Sequence, residues 1–173
     1  MYQKRKKTMV KLILCALFIA MQVVLSRFLS INLQYLKIGF SFIPVMFASY
    51  LFGPAGGVVV ATLSDLIGAI AFPSGAFFPG FTVTAALSGF IYGFSFYKNC
   101  STLKIIAGVL TNEIVCSLVL NTIWLSIMYS SNFLTLLATR VWQAVAMAIV
   151  QIIFAEIFFN RLKVAKNLKK LAG

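Results

Sequence analysis

The chain contains no histidine and only three acids, Asp65, Glu113 and Glu156, among 173 residues. Zinc sites draw chiefly on histidine and cysteine. The three cysteines, Cys15, Cys100 and Cys116, are scattered, so neither a metal knuckle nor a disulfide framework is supported. There is no P-loop and no glycine-rich phosphate fingerprint, and the acids fall in separate apolar stretches without metal-ligand spacing. On this inventory the chain is expected to be no enzyme, to hold no metal or cofactor, and to hydrolyse no ATP itself.

Charge is also scarce. Charged residues make up 10% of the chain and hydrophobic ones 61%, with a mean hydropathy of +0.99, whereas about a quarter of a soluble domain is charged. A soluble fold of this length needs a charged surface, and long stretches here offer none, so the expected solvent is lipid. The net charge of +12 does not indicate nucleic acid. Most basic residues sit in two terminal clusters, Lys4, Arg5, Lys6, Lys7, Lys11 and Arg161, Lys163, Lys166, Lys169, Lys170, where they report topology.

A basic start followed by an apolar run resembles a secretory signal. The run from Thr8 to Ser26 is longer than a usual signal core and meets Arg27 without a good cleavage site, so it is taken as the first helix. Crossing the hydrocarbon takes about 20 apolar residues. Proline and glycine clusters at Gly53-Pro54-Ala55-Gly56-Gly57 and Phe72-Pro73-Ser74-Gly75 divide the stretch between Lys37 and Lys98. The expectation is an all-α integral membrane protein of one domain, 1–173. Its six transmembrane helices run over about 8–28, 39–53, 56–72, 80–97, 103–129 and 134–160, followed by a basic cytoplasmic tail, 161–173.

Six crossings put both termini on one side, and the positive-inside rule makes that side cytoplasmic, in a multi-pass protein of the cell membrane. Lys98 and Lys104 then fall in an inner loop, as the rule requires. Arg27, Lys37 and Arg140 are left at the outer surface, where cations suit an anionic ligand; snorkelling to lipid phosphates is the rival for Arg27 and Lys37. Small residues recur at helical spacing: Ala16 and Ala20; Gly57, Ala61, Ser64 and Gly68; Ala85, Gly89 and Gly93. Close helix contact accounts for such stripes, because apolar side chains gain nothing hydrophobic by leaving lipid for one another.

Polar groups inside the bilayer are costly, about 2.5 to 3.5 kcal/mol for a central charge on insertion scales. Asp65 falls mid-helix, either as a buried carboxylate bonded to neighbouring helices or as an acceptor for a ligand's N–H groups. Glu113 and Glu156 are expected nearer the cytoplasm, satisfied by water or basic tails. Arg140, Gln143, Met147 and Gln151 share one face of the last helix, and Asn121 and Trp124 share one of the fifth. An arginine, amides and an aromatic should therefore gather near the outer surface, as a pocket for a flat polar ligand requires. An aromatic belt is the alternative for Trp124, Tyr129 and Trp142.

Six segments, in order, carry a resemblance: Ser26-Arg27-Phe28-Leu29-Ser30-Ile31, Leu36-Lys37-Ile38-Gly39-Phe40-Ser41-Phe42-Ile43-Pro44, Leu51-Phe52-Gly53-Pro54, Ser64-Asp65-Leu66-Ile67-Gly68-Ala69, Phe72-Pro73-Ser74-Gly75-Ala76-Phe77-Phe78-Pro79-Gly80-Phe81-Thr82, and Asn121-Thr122-Ile123-Trp124-Leu125. Together they resemble the folate-specific substrate-binding (S) components of energy-coupling factor (ECF) vitamin transporters. The resemblance implies six membrane helices that capture folate from outside. Uptake is then driven by partners, a transmembrane coupling subunit and two ATPase subunits that use ATP. It implies that Ala16 and Ala20 belong to the face docking that subunit. For folate, Trp124, Phe77 and Phe78 are expected to stack on the rings, with Thr82 counted beside them. Asp65, Asn121 and Gln143 would pair with the pterin edge, and Arg27, Lys37 and Arg140 would hold carboxylates. An S component for another vitamin, or a membrane assembly subunit without a ligand, are the alternatives.

Overall fold

The computed structural model describes residues 2–32, 37–73, 77–97 and 100–161. Its helices are α1 (Tyr2–Arg27), α2 (Phe42–Ala71), α3 (Pro79–Phe96), α4 (Thr102–Asn112), α5 (Asn121–Tyr129) and α6 (Phe133–Ala155). A π-helical stretch, Glu113–Leu120, joins α4 to α5 in one rod, and a second, Glu156–Arg161, extends α6. The described residues are thus almost wholly helical, in five rods. Four of them, Thr8–Arg27, Phe42–Ala71, Thr102–Tyr129 and Phe133–Phe159, are long and apolar enough to cross a membrane. Lys98 of the expected inner loop and the basic tail beyond 161 lie outside the described residues.

Boundaries follow local chemistry. Pro79 opens α3, where its missing N–H is no loss, behind an extended Phe78 (φ −130°, ψ 120°). Asn132 caps α6 by accepting from the Leu134 amide at 2.9 Å. Ser130, left-handed at φ 50°, ends α5. A short antiparallel hairpin, β1 (Ser30–Asn32) against β2 (Lys37–Gly39), links α1 to α2, with Ile31 opposite Ile38. Strands of three residues are too short to betray themselves by alternation, and none was expected.

The expected helices 39–53 and 56–72 come as one rod, α2, broken at Gly53. That glycine adopts φ 75°, ψ −164°, outside helical space and open mainly to glycine. Helix resumes at Pro54 because proline is tolerated in a first turn, so no loop intervenes. In a straight helix Ser49 and Gly57 would stand about 12 Å apart. Here a Cβ on Gly57 would collide with the Ser49 hydroxyl, so the chain folds back sharply at Gly53.

The returning half of α2 packs on α3 almost backbone to backbone. A Cβ on Gly57 would strike the Gly89 carbonyl, and one on Gly93 would lie 2.8 Å from the Gly53 carbonyl carbon. The Ser49 hydroxyl donates to the Gly89 carbonyl at 3.2 Å across the same crossing. Small residues serve here as internal packing. Below it, Tyr50 stacks on Phe159 at 4.9 Å, and Phe96, Met46, Ile105 and Val109 complete a dry core. The outside is apolar as well: Leu12, Ile70, Phe94 and Trp142 are all more than 60% exposed, as residues facing hydrocarbon should be.

Candidate functional site

One end of the bundle gathers the C-termini of α1 and α2, the N-termini of α3 and α6, and α5. Arg27, the last residue of α1, lays its guanidinium over Gly68 of α2: a Cβ there would meet Nε at 2.8 Å and Nη2 at 3.1 Å. Asp65 is one turn before Gly68, and accepts a 2.7 Å hydrogen bond from the Thr82 hydroxyl of α3. Arg27, Asp65 and Thr82 therefore share one corner, brought together from positions far apart in the chain. The half-buried carboxylate of Asp65 is bonded to a neighbouring helix, one of the two readings the sequence left open.

An aromatic wall stands beside it. The Phe78 ring lies 5.5 Å from the Trp124 ring and 6.1 Å from Phe81. Trp124 is half-buried, and its indole N–H donates to the Thr84 hydroxyl at 3.0 Å. Trp142 is 80% exposed, so the belt reading fits Trp142 and not Trp124. Phe77 turns outward at 53% exposure, away from the ring cluster that Phe78 joins.

The third wall is polar. Arg140 on α6 is buried at 6% and donates through Nη2 to the Ser117 carbonyl at 3.2 Å. Asn121 lies one turn beyond Ser117, and its buried Oδ1 has no hydrogen-bond partner among the described residues. Such an acceptor requires a ligand or water, because stranding a buried polar atom costs about 1 to 3 kcal/mol. Gln143 is half-buried one turn along α6 from Arg140. Lys37 is placed only by its backbone, opposite Asn32 in the hairpin; its side chain lies outside the described residues.

Beneath the polar wall runs a network that the sequence did not disclose. The Asn112 amide donates to the Tyr92 hydroxyl, that hydroxyl donates to Gln151 Oε1, and Gln151 Nε2 donates to Glu113 Oε1, each at 2.7 Å. All four residues are buried. Glu113 is thus held by an amide from α6 within electrostatic reach of Arg140, rather than by water or basic tails as expected. Glu156 is partly accessible and accepts from the Thr102 hydroxyl at 3.2 Å. Gly80, Thr84 and Ser117 were missed as well, because each acts through a neighbour on another helix.

Ala16 and Ala20 are both exposed on α1, beside exposed Leu12, Ile13, Leu17 and Val24. Unlike the glycines at the crossing of α2 and α3, both stay exposed among the described residues.

Compared with known proteins, residues 10–165 match the family described as ECF transporter, substrate-specific component. A folate transporter FolT of Clostridium novyi is 39% identical over 130 residues, covering 75% of this chain and 76% of that protein. Another, from Leuconostoc mesenteroides subsp. mesenteroides, is 29% identical over 168 residues, covering 92% and 89%. A crystal structure of FolT bound with folic acid superimposes with a TM-score of 0.83 at 32% identity, covering 88% of this chain and 93% of that one.

Proposed function

The chain belongs to the family of substrate-specific components of ECF transporters, and from that premise we propose that it captures folate at the site above and passes it to a separate energising module. The observation that carries the ligand is the likeness, over most of both chains, to a structure holding folic acid. Folate joins a flat pterin to an aminobenzoate and a glutamate with two carboxylates. Trp124 and Phe78 offer the stacking surface, with Phe77 at its outer rim. Asp65, Thr82, Asn121 and Gln143 offer the polar edge; Arg27, Lys37 and Arg140 offer the cations. Arginine suits a carboxylate because two parallel N–H groups can grip it.

The protein crosses the cell membrane six times in this reading, with both termini cytoplasmic. The support is the reversal at Gly53, which turns α2 into two antiparallel halves, together with the basic terminal clusters. Ligand release and uptake belong to a transmembrane coupling subunit and two ATPases, which supply the ATP chemistry; this chain needs no cofactor. The exposed stripe at Ala16 and Ala20 is where a partner helix can approach closely.

Isothermal titration of the purified protein in detergent should give reversible folate binding without ATP or sodium. No heat with folate but clear heat with another vitamin would overturn the ligand; no heat with any would favour an assembly subunit. Reconstituted alone, the protein should retain folate but not accumulate it against a gradient. Leucine at Ala16 or Ala20 should abolish most uptake in the assembled transporter while changing folate affinity by less than about twofold, since neither residue touches the site. Parallel loss of binding and uptake would place the stripe in internal packing.

A further inference from the structure

Thr84 lies on the second turn of α3 and is buried at 4%. Its hydroxyl makes two bonds of opposite sense: it accepts from the Trp124 indole N–H at 3.0 Å and donates to the Gly80 carbonyl at 3.0 Å. A hydroxyl has one proton. Spent on the Gly80 carbonyl one turn back, that proton leaves a lone pair turned to the indole, so the acceptor's direction is fixed before Trp124 arrives. Gly80 has a second part. A Cβ there would lie 2.6 Å from Trp124 Cδ2 and 2.7 Å from Cε2, so the fused bond of the indole rests on the glycine backbone. The same Cβ would lie 2.6 Å from Phe78 Cε1, so this one missing side chain makes room for both rings.

We propose that Thr84 and Gly80 are positioning residues for ligand recognition: together they clamp the indole of Trp124 at its N–H and at its fused bond, presetting the aromatic surface on which the ligand's ring system stacks. This rests on the reading of Trp124 as part of a folate site. An indole free to rotate must be immobilised when the ligand binds, and that ordering subtracts from affinity. The clamp removes the cost beforehand. It also fixes the spacing between Trp124 and Phe78, and so selects for flat ring systems over bulkier ones.

The chain has two tryptophans, Trp124 and the exposed Trp142. A Trp142→Phe protein therefore reports Trp124 alone by fluorescence and serves as the parent. Four outcomes are expected on titrating folate. Thr84→Val, which keeps the shape and loses the bonds, should shift the Trp124 emission, lower its anisotropy and weaken folate binding by about tenfold, as the cost of ordering one side chain on binding implies. Thr84→Ser should restore both the spectrum and the affinity. Gly80→Ala should weaken binding with the hydroxyl still in place. In a Trp124→Phe background Thr84→Val should have no further effect on affinity, and this comparison stands even if Thr84→Val is less stable. Unchanged emission and affinity in Thr84→Val, or equal losses in Thr84→Ser and Thr84→Val, would overturn the clamp. Absence of folate binding by the parent itself would instead sink the folate reading.

Discussion

Arg140→Ala is expected to weaken folate binding by roughly a few hundred-fold or more, and Lys37→Ala by about tenfold or less. Both are cations at the same end of the bundle, but they are held differently. The Arg140 guanidinium is buried and anchored on the Ser117 carbonyl. It has five N–H donors, so that anchor is compatible with a two-point grip on a carboxylate. Lys37 belongs to a hairpin with strands of only three residues, and a lone hairpin in water is marginally stable. Its ammonium is strongly hydrated on a flexible stem, and must be ordered when ligand binds.

Removing Arg140 has a second effect, because Glu113 lies within its electrostatic reach in the buried network. A buried carboxylate that loses a nearby cation is left with less to offset its desolvation, which destabilises the fold. Arg140→Ala should therefore lower the thermal midpoint as well as the affinity. Adding Glu113→Gln should recover much of the midpoint, since an amide can still accept from Gln151, yet recover none of the binding. Titration and thermal unfolding of the single and double variants in one detergent separate the two effects. Binding that returns with the midpoint would mean that Arg140 acts only on the fold.

A large loss of stability is also expected from Gly89→Ala. The added methyl would strike the Gly57 backbone and lie 2.7 Å from the Val58 nitrogen, and backbone cannot swing aside as a side chain can. Overpacking usually costs about 1 to 3 kcal/mol, and a backbone obstacle places this variant at the upper end or beyond. Separation of α2 from α3 would also part Asp65 from Thr82, so folate binding should fall with the midpoint. Gly68→Ala makes the informative contrast. Its methyl would meet the flexible end of Arg27, so thermal stability should change little while folate affinity drops. Equal destabilisation by the two variants would remove the distinction drawn between backbone and side-chain obstacles.

Much of the architecture could be read from punctuation. The Phe72-Pro73-Ser74-Gly75 cluster and the apolar runs located α3, the Thr102–Tyr129 rod and the final helix to within a residue or two, because composition alone marks where a chain can leave lipid. The hairpin escaped because three-residue strands have no detectable period. The site was legible residue by residue but not in its connections. Asp65, Thr82, Trp124 and Arg140 stand out as polar or aromatic groups in apolar runs. Nothing along the chain reveals that Thr82 bonds Asp65, or that Gly80 lies against Trp124. Glu113 shows the same limit: it accepts from Gln151 of α6, which in turn accepts from Tyr92 of α3, and distance along the sequence carries no trace of either.

The π-helical stretch Glu113–Leu120 works as a phase shifter. Up to Cys116 the buried positions of the rod follow helical steps, Ile105, Val109, Asn112 and Cys116. Continued at the same angle, the stripe would pass near Val119, Ile123 and Ile127. Val119 and Ile127 are instead 42% and 59% exposed, while Thr122 and Leu125 are 0% and 7%. Hydrogen bonds that span five residues rather than four absorb about one extra residue, a turn of roughly 100° about the axis. The upper part of the rod is rotated by that amount, and Asn121 and Trp124 look into the bundle instead of toward lipid. Length here is therefore as constrained as residue identity: a deletion of one residue between 113 and 120 would leave every side chain of the candidate site present and aim two of them at the hydrocarbon.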